Sequence, residues 1–287
     1  MGGFNEYGAI KKLGLRHVRD AFCGADKISV EWRALNYAGA PDYQRAIAEY
    51  DRFASFFTDQ GVEIVWLPQE PSLTMDAVYV RDATLISPKG LIACSMGKAA
   101  RSHEPALASQ LYSKSGFPVA GAIQGQGKIE GGDFIWLDDA CAVGWGYRTN
   151  AEGIRQLKDT LGPQTHVEVV GLPHYKGPSD VFHLMSFISP LDHDLALIYS
   201  PVMPVPFRNW LLDRGIRFVE VPDEEFETMA CNVLALAPRK CLMVAGNPET
   251  RRRLEAAGCE VLIYEGWEIS RKGEGGPTCL TRPLERE

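Results

Sequence analysis

A four-part pattern returns along this chain at a nearly constant interval, and few folds accommodate it. Apolar strand-like runs open at Thr84, Asp133, Phe182 and Asn232, spaced 49, 49 and 50 residues apart. Each opens a round of strand, strand, helix, strand. In the first round 83–87 and 91–94 read as a hairpin across Pro88-Lys89-Gly90, followed by a helix over 104–114 and a strand at 117–119. The second has strands at 133–137 and 141–145, a helix over 151–161 and a strand at 166–170. The third runs 182–188, 195–199, a helix near 207–213 and 216–221; the fourth 232–236, 241–244, a helix over 248–257 and 260–264. A fixed period of this size signals a propeller or another repeat array. Ahead of these rounds, Pro41 and Asp42 start a helix that Gly61 stops, and a strand follows at 62–67. Only strands from the C-terminal end are expected to complete that pair, giving a fifth module closed between the termini with no exposed edge. Residues 1–40 read as irregular, broken by Gly14, Gly24 and Gly39. No linker or composition break interrupts the chain, so one α/β domain over 1–287 is expected.

In a ring of such modules the first strand of each lies nearest the axis. Polar residues at those strand starts therefore face one shared channel, and burying them costs free energy unless they are paired or used. They are Asp76, Arg81, Asp82, Glu130, Asp133, His183 and Asn232, and the last module adds Cys279. Cys279 follows Gly273-Glu274-Gly275-Gly276-Pro277-Thr278, a stretch whose glycines allow close approach to a ligand. A thiol delivered there is a candidate nucleophile. Taken singly, each residue has a plainer reading. Cys279 suits a small buried residue beside a tight turn, and His183 a satisfied core histidine within an apolar strand. Glu130 to Asp133 suits a solvated turn, and Arg101 and Arg148 suit surface ion pairs. Their convergence is the signal.

The seven cysteines form no CxxC pair, so neither a disulfide framework nor a zinc knuckle is indicated. Five of them, Cys94, Cys141, Cys231, Cys241 and Cys259, lie in apolar runs; Cys23, like Cys279, has a loop context. A formal net charge of -7 argues against a nucleic-acid partner. The start, MGGFNEYGAIKKLG, lacks the apolar core of a secretory leader, and no run of eighteen apolar residues exists. A cytoplasmic protein with no membrane partner is the expectation. The run Pro248 to Arg253 reads as a solvated helix face.

Together these residues resemble the guanidino-group-modifying superfamily, the penteins, which includes dimethylarginine dimethylaminohydrolases, arginine deiminases and amidinotransferases. The matching pieces are Val80-Arg81-Asp82, Met96 to Arg101, Ile129 to Asp133, Tyr147 to Asn150, His183-Leu184, Cys231 to Leu234 and Gly275 to Cys279. They follow the family's order and cover nearly all of the chain from residue 76. The resemblance implies a five-fold pseudo-symmetric α/β propeller of ββαβ modules. It implies Cys279 as nucleophile, His183 as general acid/base, and Glu130 and Asp82 as acidic partners of the guanidinium or of His183. Asp76 and Asp133 join Asp82 as substrate-binding acids, and Arg101 and Arg148 match the arginines that hold a substrate carboxylate. The implied partner is a small guanidino compound, with no cofactor or metal needed; a homodimer is compatible with the chain.

Two positions depart from the family's branches. Deiminases and amidinotransferases usually carry Asp two residues after the histidine, where this chain has Met185, which leans toward the dimethylarginine hydrolases. Those hydrolases tend to have Glu before the Asp82 position, where this chain has Arg81, as the other branches do. A transferase, or a propeller used only for binding, are the competing readings. Residues 14–40 and 171–180 are expected to set substrate length, the first as a lid bracketed by Gly24 and Gly39.

Overall fold

The computed structural model describes residues 4–287. Among them five sheets form, and in each ββαβ module the first strand pairs antiparallel with the second and the second parallel with the third; Phe4–Asn5 adds an antiparallel edge strand to one sheet, beside Phe134–Asp138. The repeated rounds supply four: Thr84–Ser87, Gly90–Ala93 and Val119–Ala122; Phe134–Asp138, Ala140–Trp145 and His166–Gly171; Ile188–Asp192, Leu195–Ile198 and Arg217–Glu220; Leu234–Ala237, Lys240–Val244 and Glu260–Tyr264. The helices Glu104–Lys114, Ala151–Leu161, Val205–Asp213 and Pro248–Ala256 connect second strands to third, as a parallel crossover requires. This is the expected five-fold α/β propeller of ββαβ modules.

The fifth module closes between the termini, but not as the sequence reading had it. Arg282–Arg286 supplies only its first strand. The second is Ile10–Leu15, inside the segment read as irregular, and the third is Glu63–Trp66. Lys11-Lys12 and Gly14 obscured the apolar set Ile10, Leu13 and Leu15, all buried. The rest of that segment is no loose lid. It carries helices Val18–Phe22 and Ala25–Glu31, and Val18, Phe22 and Ile28 enter the core.

Three first strands also begin later than predicted. Short 3₁₀ turns, Gly131–Asp133 and Leu184–Ser186, precede two of them, and Asn232 lies in the turn before Leu234. The polar residues thus sit at turn corners, where side chains rather than ladder bonds satisfy the backbone: His183 N donates to Ser186 Oγ at 2.9 Å. In the first round the third strand starts at Val119, because Pro118 has no N–H; its carbonyl instead accepts from Leu91 N at 2.8 Å.

The helix Tyr43–Thr58 starts where Asp42 accepts from Arg45 N, and buries Ala46, Tyr50, Phe53, Ala54 and Phe57 on one face. Phe53 meets Tyr264 at 5.0 Å between ring centroids. Full burial of such a side chain contributes about 1.5–3 kcal/mol. The half-buried Glu49 of this helix accepts from Glu268 N at 2.8 Å, fixing the segment that leads into Cys279.

Hydrogen bonds at the turn corners join each module to the next around the ring. Gly132 N donates to Asp82 Oδ1 (3.0 Å), Leu184 N to Asp133 Oδ1 (3.0 Å) and Val233 N to Ser189 Oγ (3.2 Å). Asn232 Nδ2 donates to Cys279 Sγ (3.1 Å), and Arg81 N to Cys279 O (3.2 Å). The fifth step returns to the first module. No helix among the described residues is long and apolar enough to cross a membrane.

Candidate active site

Cys279 sits on a turn over 277–280, in which Leu280 N donates to Gly276 O at 3.1 Å and Thr281 N to Thr278 O at 3.2 Å. Asn232 clamps this turn from the fourth module. Its Nδ2 reaches the sulfur, and its Oδ1 accepts from Thr278 N at 3.1 Å. A Cβ on Gly276 would stand 2.6 Å from the Asn232 side chain, so the clamp needs glycine there. The sulfur is partly exposed at one end of the central channel. The cavity there is narrow, about 50 Å³, and its lining includes Cys279, His183, Asp76, Asp82, Arg101 and Arg148. Residues spread over two hundred positions of sequence therefore share one mouth.

His183 Nε2 lies 2.8 Å from Glu130 Oε2. Glu130 is fully buried and does not line the cavity. It accepts from Gly97 N (2.9 Å), Lys98 N (3.0 Å) and Arg148 Nη1 (3.1 Å), so its place is behind the imidazole. Burial alone would drive the His183 proton off; Asp133, Asp82 and Glu130 outweigh it and raise the pKa to about 9. Burial likewise disfavours the Glu130 carboxylate, but His183 and Arg148 hold its pKa below the usual carboxylate range. The Cys279 thiol is pushed up to about 11 by burial and then by Asp82, with Asn232 and Arg81 opposing. At neutral pH the free pair is thus thiol and imidazolium.

Asp82 reaches the cavity with its carboxylate tied to Gly132 N and, at 2.6 Å, to Arg101 Nη1. Asp76 also lines it and pairs with Lys98 Nζ at 2.6 Å. Asp133 does not reach it, contrary to its expected place among the substrate-binding acids. It is fully buried, its Oδ1 holds the Leu184 N–H, and burial lifts its pKa to about 6. The two arginines differ from each other. Arg101 is committed to Asp82, to Glu104 through two bonds of 2.9 and 2.8 Å, and to Tyr79 O at 2.7 Å. Among the described residues Arg148 bonds protein only through Nη1, to Glu130. Neither is a surface ion pair.

Arg81 turns away from this cavity. Its Nη2 donates to Glu6 Oε2 at 2.9 Å, toward the other end of the channel. The departure at Arg81 is therefore not a change in the lining around Cys279. Lys98, Glu104 and Asn232 were given no role from the sequence. Lys98 lies inside the matched piece Met96 to Arg101 and Asn232 stood among the polar strand starts, but partners as distant as Asp76 and Cys279 leave no local trace; Glu104 pairs with Arg101 at an i,i+3 spacing that the sequence did offer. Asp82, Glu130 and His183 offer donor atoms within 4.8 Å of one another, the spacing of a metal site. Their oxygens are already engaged by Arg101, Arg148 and backbone N–H groups. Asp192, His193 and Asp194 form a second such cluster at a hairpin turn, where Arg239 pairs with both acids.

The N,N dimethylarginine dimethylhydrolase (eukaryotic) family model matches residues 31–286. The chain is 27% identical over 254 residues to the N(G),N(G)-dimethylarginine dimethylaminohydrolase of Pseudomonas aeruginosa, covering 88% of this chain and 93% of that one. It is 27% identical over 190 residues to an arginine deiminase of Rhodococcus opacus, covering 55% and 46% of the two chains. In three dimensions it resembles a cysteine-to-serine mutant of the Pseudomonas aeruginosa enzyme complexed with citrulline, with a TM-score of 0.76 at 25% identity over 95% of this chain and 98% of that one. The family match spans most of the sequence, and the chain belongs to the dimethylarginine dimethylaminohydrolase family.

Proposed function

We propose that the protein hydrolyses a C–N bond of a guanidino substrate, a methylated arginine first among them, through a covalent intermediate on Cys279. The observation that carries the reading is the single narrow cavity lined by Cys279, His183, Asp82 and Asp76. Family membership and the citrulline complex of the similar enzyme support the same chemistry.

A guanidinium is planar, cationic and a weak electrophile. Asp82 and Asp76 orient it and hold its carbon toward the sulfur. Its charge beside Cys279 favours the thiolate, the thiol proton passing to solvent as the substrate binds, so the substrate helps create its own nucleophile from a thiol that is otherwise protonated at pH 7. The thiolate adds to the carbon and forms a tetrahedral adduct. The His183 imidazolium gives its proton to the departing amine, the C–N bond breaks, and an S-alkylthiouronium remains. Neutral His183 then takes a proton from water, which adds to the same carbon. Collapse expels the thiolate, which takes up the proton of the adduct's hydroxyl, and leaves the neutral ureido product with the thiol and the imidazolium both restored. Glu130 positions His183 and keeps it protonated for the first transfer. Arg148, with nitrogens left for the cavity, holds the substrate carboxylate; Arg101 acts by fixing Asp82.

Incubation with dimethylarginine, monomethylarginine, arginine and smaller guanidines, with ureido product measured, tests the reading. Turnover of a methylated arginine, lost in Cys279→Ser, is expected. No ureido product from any of them would overturn it, and a new guanidino product formed only when glycine or lysine is added would replace hydrolysis with amidino transfer.

A further inference from the structure

The channel end opposite Cys279 opens into a cavity of about 470 Å³, within the range of small-ligand sites. Its charged lining sets Arg81, Lys89, Arg282 and Arg286 against Glu6 and, at the rim, Glu285 and Glu287. Arg81 and Arg282 are buried, Arg286 is half-buried, and all three surround the buried Glu6 carboxylate. Glu6 accepts from Arg81 Nη2 at 2.9 Å. Arg282 Nη2 donates to the Arg81 carbonyl, and Arg286 Nη1 to the carbonyls of Gly8 (2.6 Å) and Ala235 (2.9 Å). One carboxylate thus faces three guanidiniums. Arg81 Nε, Arg282 Nε, and Arg286 Nε and Nη2 are buried without a hydrogen-bond partner among the described residues. Buried donors left in this state are costly and rare. Burial and repulsion from Arg81 push Arg282 down to about 10; burial, only partly offset by Glu6, pushes Arg286 down to about 9. At the rim Glu285 and Glu287 are exposed, and Glu287 is held by Lys11 at 2.6 Å. One wall is apolar, with Phe134 and Trp136 packed edge to face at 5.3 Å and Phe117 and Ile86 also in the lining.

We infer that this cavity is a second ligand site, taking a small carboxylate with a flat apolar body: the acid on Arg282 and Arg286, the body against Trp136 and Phe134. A charged floor beside an apolar wall suits that amphipathic shape better than a bare inorganic anion. The site shares no cavity-lining residue with the Cys279 mouth.

Titration calorimetry of the whole protein with 2-naphthoate tests it, with 2-naphthalenemethanol and inorganic phosphate as comparisons. Naphthoate is expected to bind, and both comparison compounds about tenfold or more weakly, each lacking one half of the recognition. Arg286→Gln is expected to weaken naphthoate by about tenfold or more. Because that change touches a buried cluster, Ile86→Trp provides an independent test. It narrows the apolar half without touching the arginines, and is expected to abolish binding while the unfolding midpoint stays put. Absence of binding, equal binding of the alcohol or of phosphate, or binding unaffected by both substitutions would overturn the inference.

Discussion

Glu130 Oε2 stands 2.8 Å from His183 Nε2, with no part of Glu130 open to solvent. A carboxylate so placed is a device for keeping an imidazole protonated and aimed. Replacing Glu130 with Gln retains a bond to the ring but removes the charge. The His183 pKa, read by NMR of the ring protons, is expected near 9 in the wild type and at least about one unit lower in Glu130→Gln. The same shift predicts a pH dependence of stability. A folded-state pKa above the unfolded value of about 6.5 stabilises fully below that value and is lost as pH rises toward 9. The loss across this window is on the order of 3 kcal/mol in denaturant melts, and smaller in the variant.

The Cys279 thiol is expected to resist iodoacetamide at pH 7, with labelling that rises toward a pKa of about 11. A bound guanidinium that is not turned over is expected to move that midpoint down by at least about one unit. Asn232→Leu removes the donor to sulfur and is expected to slow labelling at pH 8 by about tenfold.

Much of the ring was legible because its period is set by chain geometry: strand, hairpin, crossover helix and return strand need about the same length each time. The helix Ala151–Leu161 falls where amphipathic spacing and its Asn150 cap place it, and Glu104–Lys114 where Pro105 in its first turn marks a start. Ile10–Leu15 was not legible, since a strand whose two partners lie fifty and two hundred seventy residues away carries two lysines and a glycine among its apolar positions. The site split the same way. The resemblance picked out Cys279, His183, Asp76, Asp82, Arg101 and Arg148, which share the cavity lining. It did not separate residues that line the cavity from those behind it, such as Glu130 and Asp133, because that depends on which turn corner each occupies.

The two arginines are expected to separate in kinetics. Arg148→Lys keeps a cation for Glu130 but loses the planar fork toward the cavity, so KM should rise about tenfold or more with kcat little changed. Arg101→Lys frees Asp82 and leaves Glu104 underpaired in a buried setting, so kcat should fall and the unfolding midpoint should drop. Steady-state rates on methylarginine paired with thermal melts check both.

Gly132→Ala is expected to be a positioning defect. The added methyl would stand 2.5 Å from His183 Nδ1 and 3.1 Å from Asp82 Oδ1, forcing the imidazole aside. A displacement of this size costs about a hundredfold in kcat. The test is a rate measurement together with a circular dichroism spectrum, which should remain that of the folded protein.

The covalent step is tested most directly by acid-quenching the protein during turnover of a methylated arginine and mapping the peptides by mass spectrometry. The expected result is an amidino-type adduct on the peptide bearing Cys279, absent in Cys279→Ser, and accumulating in Gly132→Ala if water attack is slowed with His183 displaced. An adduct on another cysteine, or product release by Cys279→Ser at the wild-type rate, would contradict it.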